Sequence, residues 1–214
     1  MPVSVLVEGM DLTGKTTLSR LLVAELETRG LNAVHHRGFL ASRHPMRRLL
    51  ERTTPGNKPS SWLLNAAFVA GALMDRVLPG VLDDDNDVVV HESYVDRAIA
   101  YGVAEGAWPV ARLAARWSRA FAAFDLAVLT HAPLEVRQAR MRERGSTSDR
   151  VDARTVRSAR FERTFSGVLQ QVARRHRHLM RADSAAQPAQ AIAAAIADHV
   201  VSLVRPVPAL GRQQ

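Results

Sequence analysis

The sequence predicts an α/β fold: a three-layer arrangement in which a parallel five-stranded sheet carries helices on both faces. Three observations predict it. Five short apolar runs, at 3–7, 32–36, 87–91, 125–130 and 178–183, have the length and composition of buried strands. Segments with helical spacing lie between them, and strand–helix alternation of this kind builds a parallel sheet. The first run also ends in EGMDLTGKTT (8–17), after which Leu18, Leu21, Leu22 and Leu26 recur at helical spacing.

The elements follow in order. Helical patterns cover 15–29, about 44–53, 60–82, 94–104, 108–123, 133–144, 152–177 and 187–204. Pro79 kinks or ends the third of these, because proline lacks the N–H that a helix interior needs. The run DDDND at 83–87 reads as a solvated turn, and 53–59 as a mobile loop. Residues 1–204 form one domain with a lid at about 142–152, and 205–214 read as a frayed tail.

Composition narrows the function classes. The 214 residues include no cysteine, which excludes disulfides and thiolate metal sites. No apolar run approaches the length of a membrane span, and a cytoplasmic protein with no membrane partner is the expectation. The net charge is +8, from 27 arginines and the two lysines Lys15 and Lys58 against 21 acidic residues. Nine of the arginines fall between Arg137 and Arg163. No zinc-finger spacing or aromatic-interleaved basic stretch accompanies them, so the charge points to small phosphorylated ligands rather than nucleic acid.

The chemistry is concentrated in residues 8–17. Gly9, Gly14, Lys15 and Thr16 stand at the spacing G-x-x-x-x-G-K-[ST]. In such a loop the glycines let backbone N–H groups face a polyphosphate, the lysine neutralises its outer oxygens and the Thr16 hydroxyl can ligate Mg²⁺. Met10, Leu12, Thr13 and Thr17 complete the cradle at the helix N-terminus, where the partial positive charge favours anions. Lys15 is one of two lysines in an arginine-rich chain, and a compact ammonium suits a narrow phosphate site.

Glu8 and Asp11, flanking the first loop glycine, begin a resemblance to thymidylate kinases. It continues through LLNAAFVAGALMDRVLPGVL (63–82), VVVHESYVDRAIAYG (88–102), RMRERGSTSDRVD (140–152), RFER (160–163) and RADSAAQPAQAI (181–192). The resemblance implies a P-loop kinase with strand order 2-3-1-4-5, ATP and Mg²⁺, and two subunits paired through long helices. It implies that Lys15 and the loop amides hold the donor phosphates and that Asp11 sits between donor and acceptor sugar. Arg142, Arg144 and Arg150 would lie in or beside the lid, Arg144 and Arg150 meeting the transferred group. Glu92 would hold Mg²⁺ through water with Thr16. Arg37, Asn65, Phe68, Tyr94, Arg97 and Tyr101 would line the acceptor pocket.

Several positions depart from the family pattern at that pocket. An Asp-Arg pair after the third strand is Glu92-Ser93 here, and another in the long helix is Phe68-Val69. The aromatic that stacks on thymine is Asn65, Arg-Glu-Pro after strand two is Arg37-Gly38-Phe39, and a glutamine after Tyr101 is Gly102. Losing two arginines costs acceptor binding roughly 3–6 kcal/mol unless others compensate. Arg37 and Arg97 are the candidates, unless Arg97 pairs on the surface with Asp96 or Glu105. His35, His36 and His91 end strands and read as structural, and Trp108, Trp117, Phe121 and Phe124 as core or subunit contact. Three functions stay open. One is transfer to a nucleoside monophosphate or related small molecule. The second is transfer to an unphosphorylated nucleoside-like hydroxyl, and the third is non-catalytic nucleotide binding.

Overall fold

The computed structural model describes residues 1–40, 44, 46, 61–78, 85–106, 108–143 and 158–204. Most of the expected lid, with Arg144 and Arg150, the 53–59 loop and the 205–214 tail lie outside them, as does most of the expected helix at 44–53.

The order of elements is β1 (Val3–Gly9), α1 (Lys15–Thr28), β2 (Ala33–Arg37), α2 (Ser61–Met74), β3 (Val88–Glu92), α3 (Val95–Gly106), α4 (Pro109–Arg116), β4 (Leu126–His131), α5 (Leu134–Glu143), α6 (Ala159–Ala173), β5 (His178–Asp183) and α7 (Ala189–Val204). The five strands pair in parallel in the order β2-β3-β1-β4-β5. This is the sheet the sequence predicts and the order the resemblance implies. The register sets Val7 opposite Glu92 and Gly9 opposite Thr130, so the carboxyl ends of the central strands finish level.

The period-two alternation of a strand sorts the core into two layers. Val5 and Val7 of β1 pack with Leu18, Leu22 and Leu26 of α1 and Ile192, Ile196 and Val200 of α7. Leu6 faces the other way, toward Val69 of α2, Val95 and Ile99 of α3, Ala114 of α4 and Val172 of α6. A third group joins Met10 of the loop and Leu129 to Phe161, Phe165 and Leu169 of α6. Leu22 and Leu26 are fully buried, each worth about 1.5–3 kcal/mol by transfer.

Two helices are shorter than their patterns. The stretch expected at 60–82 ends at Met74, well before Pro79. Asp75 there turns inward beneath His44, 3.8 Å from its Nε2, and the amides of Val77 and Leu78 fold back on the Met74 carbonyl. The stretch expected at 108–123 stops at Arg116 and passes through a 3₁₀ turn at Ser118–Ala120. Phe121 then becomes extended, and this lets both Phe121 and Phe124 enter the core ahead of β4. The described part of the 152–177 stretch runs from Ala159, capped by the Ser158 hydroxyl, to Ala173.

Candidate active site

The turn after β1 is shaped by what surrounds it. A Cβ on Gly9, at φ 156°, would sit 2.2 Å from the Thr130 hydroxyl of the neighbouring strand, so only glycine fits. Gly14 is left-handed at φ 85°, and so is Leu12 at φ 67°, a conformation a branched side chain adopts at a cost. Internal bonds hold Leu12 there: its carbonyl accepts from Arg140 Nη1 at 2.9 Å. The Thr13 hydroxyl bonds the Met10 carbonyl at 2.8 Å and Thr130 at 2.7 Å.

Lys15 opens α1, whose first turn carries no acidic residue. The helix end and the lysine therefore both offer positive charge at one place. Lys15 is buried, donates to the Met10 carbonyl at 2.7 Å and lies 3.8 Å from Asp11. Burial holds its ammonium below the ordinary lysine range, with the Asp11 charge opposing. The next residue, Thr16, donates to Glu92 Oε1 at 2.7 Å. Glu92 is buried at the end of β3, and its other oxygen meets His35 Nε2 at 3.1 Å. A hydroxyl and a carboxylate this close beside the phosphate loop are hard oxygen donors that fit Mg²⁺.

A cavity of about 330 Å³ opens between β2, α2 and α3. Arg37, Asn65, Phe68, Tyr94, Arg97 and Tyr101 all lie on its wall, together with Ser93 and Trp108. Arg97 donates through Nη2 to both Asp11 oxygens at 2.6 Å. Its partner is thus the phosphate loop, and the alternative pairing with Asp96 or Glu105 does not describe it. Asp96 is taken instead by Arg175 and His176, deep between α3 and α6. Burial disfavours the Asp11 carboxylate, but the Arg97 and Lys15 charges prevail and hold its pKa below the ordinary range. Arg37 is 71% exposed at the rim, with Nε 3.9 Å from Glu92.

The remaining wall is mostly aromatic. Phe68 stacks on Phe39 at 4.6 Å, and Phe39 on His44 at 4.0 Å. Asn65 donates to the Ala98 carbonyl at 2.6 Å, and its Oδ1 is buried without a partner. Gly102 leaves room for this arrangement: a Cβ there would come within 2.9 Å of Asn65 Oδ1 and 3.1 Å of the Trp108 ring. Tyr94 is buried with its hydroxyl on the Ala72 carbonyl at 3.1 Å. Val69, in contrast, belongs to the core.

A second cavity, of about 430 Å³, lies on the other side of the loop, between Leu12, Gly14 and Thr17 and the start of α7. Arg140 crosses it, bonding the Leu12 carbonyl and both the hydroxyl and carbonyl of Ser184. Arg142 is exposed, turns back on the Gln138 carbonyl, and lines neither cavity. Arg137, also in the arginine-rich stretch, is fully buried and holds Glu162 at 2.7 Å and the Met10 sulfur at 2.9 Å.

A loop between two cavities, with a basic residue facing each, fits a bound polyphosphate that reacts across the loop. The family model of thymidylate kinase matches residues 7–196. The chain belongs to the thymidylate kinase family. It is therefore an ATP-dependent nucleotide kinase. No curated protein matches the chain.

Sequence reasoning misses four residues of this kinase. Trp108 lines the acceptor cavity instead of serving only as core or subunit contact. Arg140 of α5 reaches the loop at the Leu12 carbonyl. His35 stands in the middle of β2, not at its end as expected, and touches Glu92. Glu8, noted only as part of the family motif, is buried with Oε1 accepting from the Gly9 amide at 3.0 Å and Oε2 from the Tyr94 amide at 2.8 Å. Burial, reinforced by the Asp96 charge, pushes its carboxyl up to about 7, against the pull of Lys15 and the two amides. No local signal could have suggested these roles, because the deciding contacts arise from tertiary approach.

Proposed function

We propose that this kinase transfers the γ-phosphoryl group of ATP, with Mg²⁺, to a nucleoside monophosphate or a related anionic small molecule. One observation carries the reading. Arg97 lies on the acceptor cavity and is bound to Asp11 of the phosphate loop, so a cation for the acceptor stands next to the donor phosphates. All its bonds to Asp11 run through Nη2, which leaves Nε and Nη1 to meet an acceptor phosphate.

The chain's own residues divide the work. The amides from Gly9 to Thr17 cradle the donor, Lys15 leaves the Met10 carbonyl for a phosphate oxygen, and Arg140 borders the cavity for the rest of ATP. Thr16 and Glu92 would hold Mg²⁺, which when bound would neutralise charge on the phosphates. Asp11 keeps Arg97 in place and borders the acceptor. Phosphoryl transfer needs position and positive charge more than covalent help, and Arg144 and Arg150 are proposed to supply charge from the lid. We place the protein in the cytoplasm; among the described residues no helix is long and apolar enough to cross a membrane.

The acceptor should differ from thymidylate. Asn65 offers no stacking face and is tied to Ala98, Val69 lies in the core, and Phe68, Tyr101 and Trp108 narrow the base end. The test compares thymidylate, other nucleoside monophosphates and nucleosides at fixed ATP. The expected outcome is a preferred monophosphate over thymidylate. A thymidylate kcat/KM of about 10⁶ M⁻¹s⁻¹ or more would overturn this acceptor assignment. A nucleoside preferred over every monophosphate would favour the hydroxyl-acceptor reading, and absence of any acceptor-dependent turnover the non-catalytic one.

A further inference from the structure

We propose that Glu8 is a positioning residue whose carboxylate brackets the phosphate loop to the turn after β3 and so fixes the acceptor site relative to the donor phosphates. This rests on the kinase reading for its consequence, but the bracket itself is a matter of geometry. One oxygen holds the amide of Gly9, the first residue of the loop's cradle, and the other holds the amide of Tyr94. Between β3 and Tyr94 stands Ser93, left-handed at φ 59° without being glycine. Its own amide is tied to the Val7 carbonyl at 3.1 Å. The turn so held carries Glu92 on one side and leads to Arg97 on the other, hence both the proposed Mg²⁺ ligand and the acceptor cation.

The choice of side chain is informative. Two buried amides pointing at one spot need two acceptor oxygens in one rigid plane, which a carboxylate provides. Glutamine provides one, and its amide N–H groups would face the second donor. A fully buried carboxylate is costly to ionise, so its presence here calls for a return in positioning. The charged groups facing it are Asp96 and Arg97 of α3 and Lys15 of α1. Asp96 is itself engaged by Arg175 and His176. With the carboxyl pushed up to about 7, Glu8 ionises near neutrality. A proton on either oxygen weakens one of the two amide bonds, so the bracket tightens as pH rises through that value.

The sign of the stability effect follows. The folded protein holds the Glu8 proton more firmly than the unfolded chain between the ordinary 4.5 and about 7. Stability contributed by the protonated form is therefore lost as pH rises across that window.

The experiment uses the full chain and Glu8→Gln. At about pH 8, kcat/KM for the best acceptor should fall about tenfold or more, while ADP affinity stays within about threefold, since Thr13, Thr130 and Met10 still brace the cradle. Wild type should show a rising limb in acceptor kcat/KM near pH 7 that the variant lacks. Equal kcat/KM and identical pH profiles in the two proteins would overturn the proposal, and so would a matched loss of ADP affinity. Amide exchange in wild-type protein supplies a readout independent of turnover and of the variant's folding. Protection of Gly9 and Tyr94 should rise together from about pH 6 to about pH 8. Protection that stays flat would overturn the bracket. If no acceptor is phosphorylated, the kinase reading fails while the exchange measurement still tests Glu8.

Discussion

Lys15 ends on a backbone carbonyl, that of Met10, at 2.7 Å. A phosphate oxygen is the stronger partner for a buried ammonium, because a charge-assisted bond outweighs a neutral one. Lys15→Ala should therefore cut turnover about 10²-fold or more while melting stays close to wild type. Turnover within threefold of wild type at matched melting would remove Lys15 from the chemistry. Arg97→Ala should raise the acceptor KM by about 10- to 100-fold, from a lost charge-assisted bond of about 1.5–3 kcal/mol. Arg97→Lys should restore part of this, and the ATP KM should move little; an unchanged acceptor KM in Arg97→Ala would assign Arg97 to bracing Asp11 alone. The loop is readable from sequence because its residues touch one ligand from consecutive positions. Arg97 reaches Asp11 across 86 residues, Trp108 closes a wall begun on another helix, and Glu8 joins two strand ends. None of these has a local pattern to read.

At the scale of elements, strand limits agree with their expected runs to within about two residues. The three central strands, buried on both faces, are the most apolar, while the edge strands β2 and β5 are only partly buried. Helix ends agree less well, since they are set by tertiary partners such as the His44–Asp75 contact and the inward turn of Phe121. The arginine-rich stretch shows the same limit: composition suggests a phosphate-facing surface, yet Arg137 is a buried link from α5 to α6 and to Met10. Removing Glu162 takes the carboxylate at 2.7 Å from this buried guanidinium, and breaking a buried pair costs about 3–5 kcal/mol. Glu162→Ala should lower the melting temperature by roughly 10 °C in a chain of this size. Melting within about two degrees of wild type would show that the other contacts of Arg137, the Ala132 carbonyl and the Met10 sulfur among them, suffice.

At the scale of the whole molecule, the sheet order brings β1 to the centre, so the loop meets cavities on both sides, and the two helical layers each supply side chains to the site, Lys15 and Thr16 from one and Arg97 from the other. One of these layers carries surplus apolar surface. Trp62, Leu63 and Leu73 of α2 and Val110 and Leu113 of α4 are exposed, with Trp117 just beyond at 61%. The two helices are in contact, so their exposed side chains belong to one layer. A monomer rarely leaves large apolar patches in water, because each buried Å² returns about 25 cal/mol. The expectation is a homodimer that pairs through α2 and α4. The same side of the chain walls the acceptor cavity through Leu64 and Phe68 of α2, so pairing would stiffen the pocket without entering it. Light scattering should give twice the 23.5 kDa chain mass. Leu113→Asp, by placing a charge in the contact, should shift the particle toward one chain and raise the acceptor KM more than the ATP KM. A wild-type protein that stays monomeric at micromolar concentration would leave the α2–α4 face for another partner, and a monomeric variant with unchanged kinetics would separate assembly from catalysis.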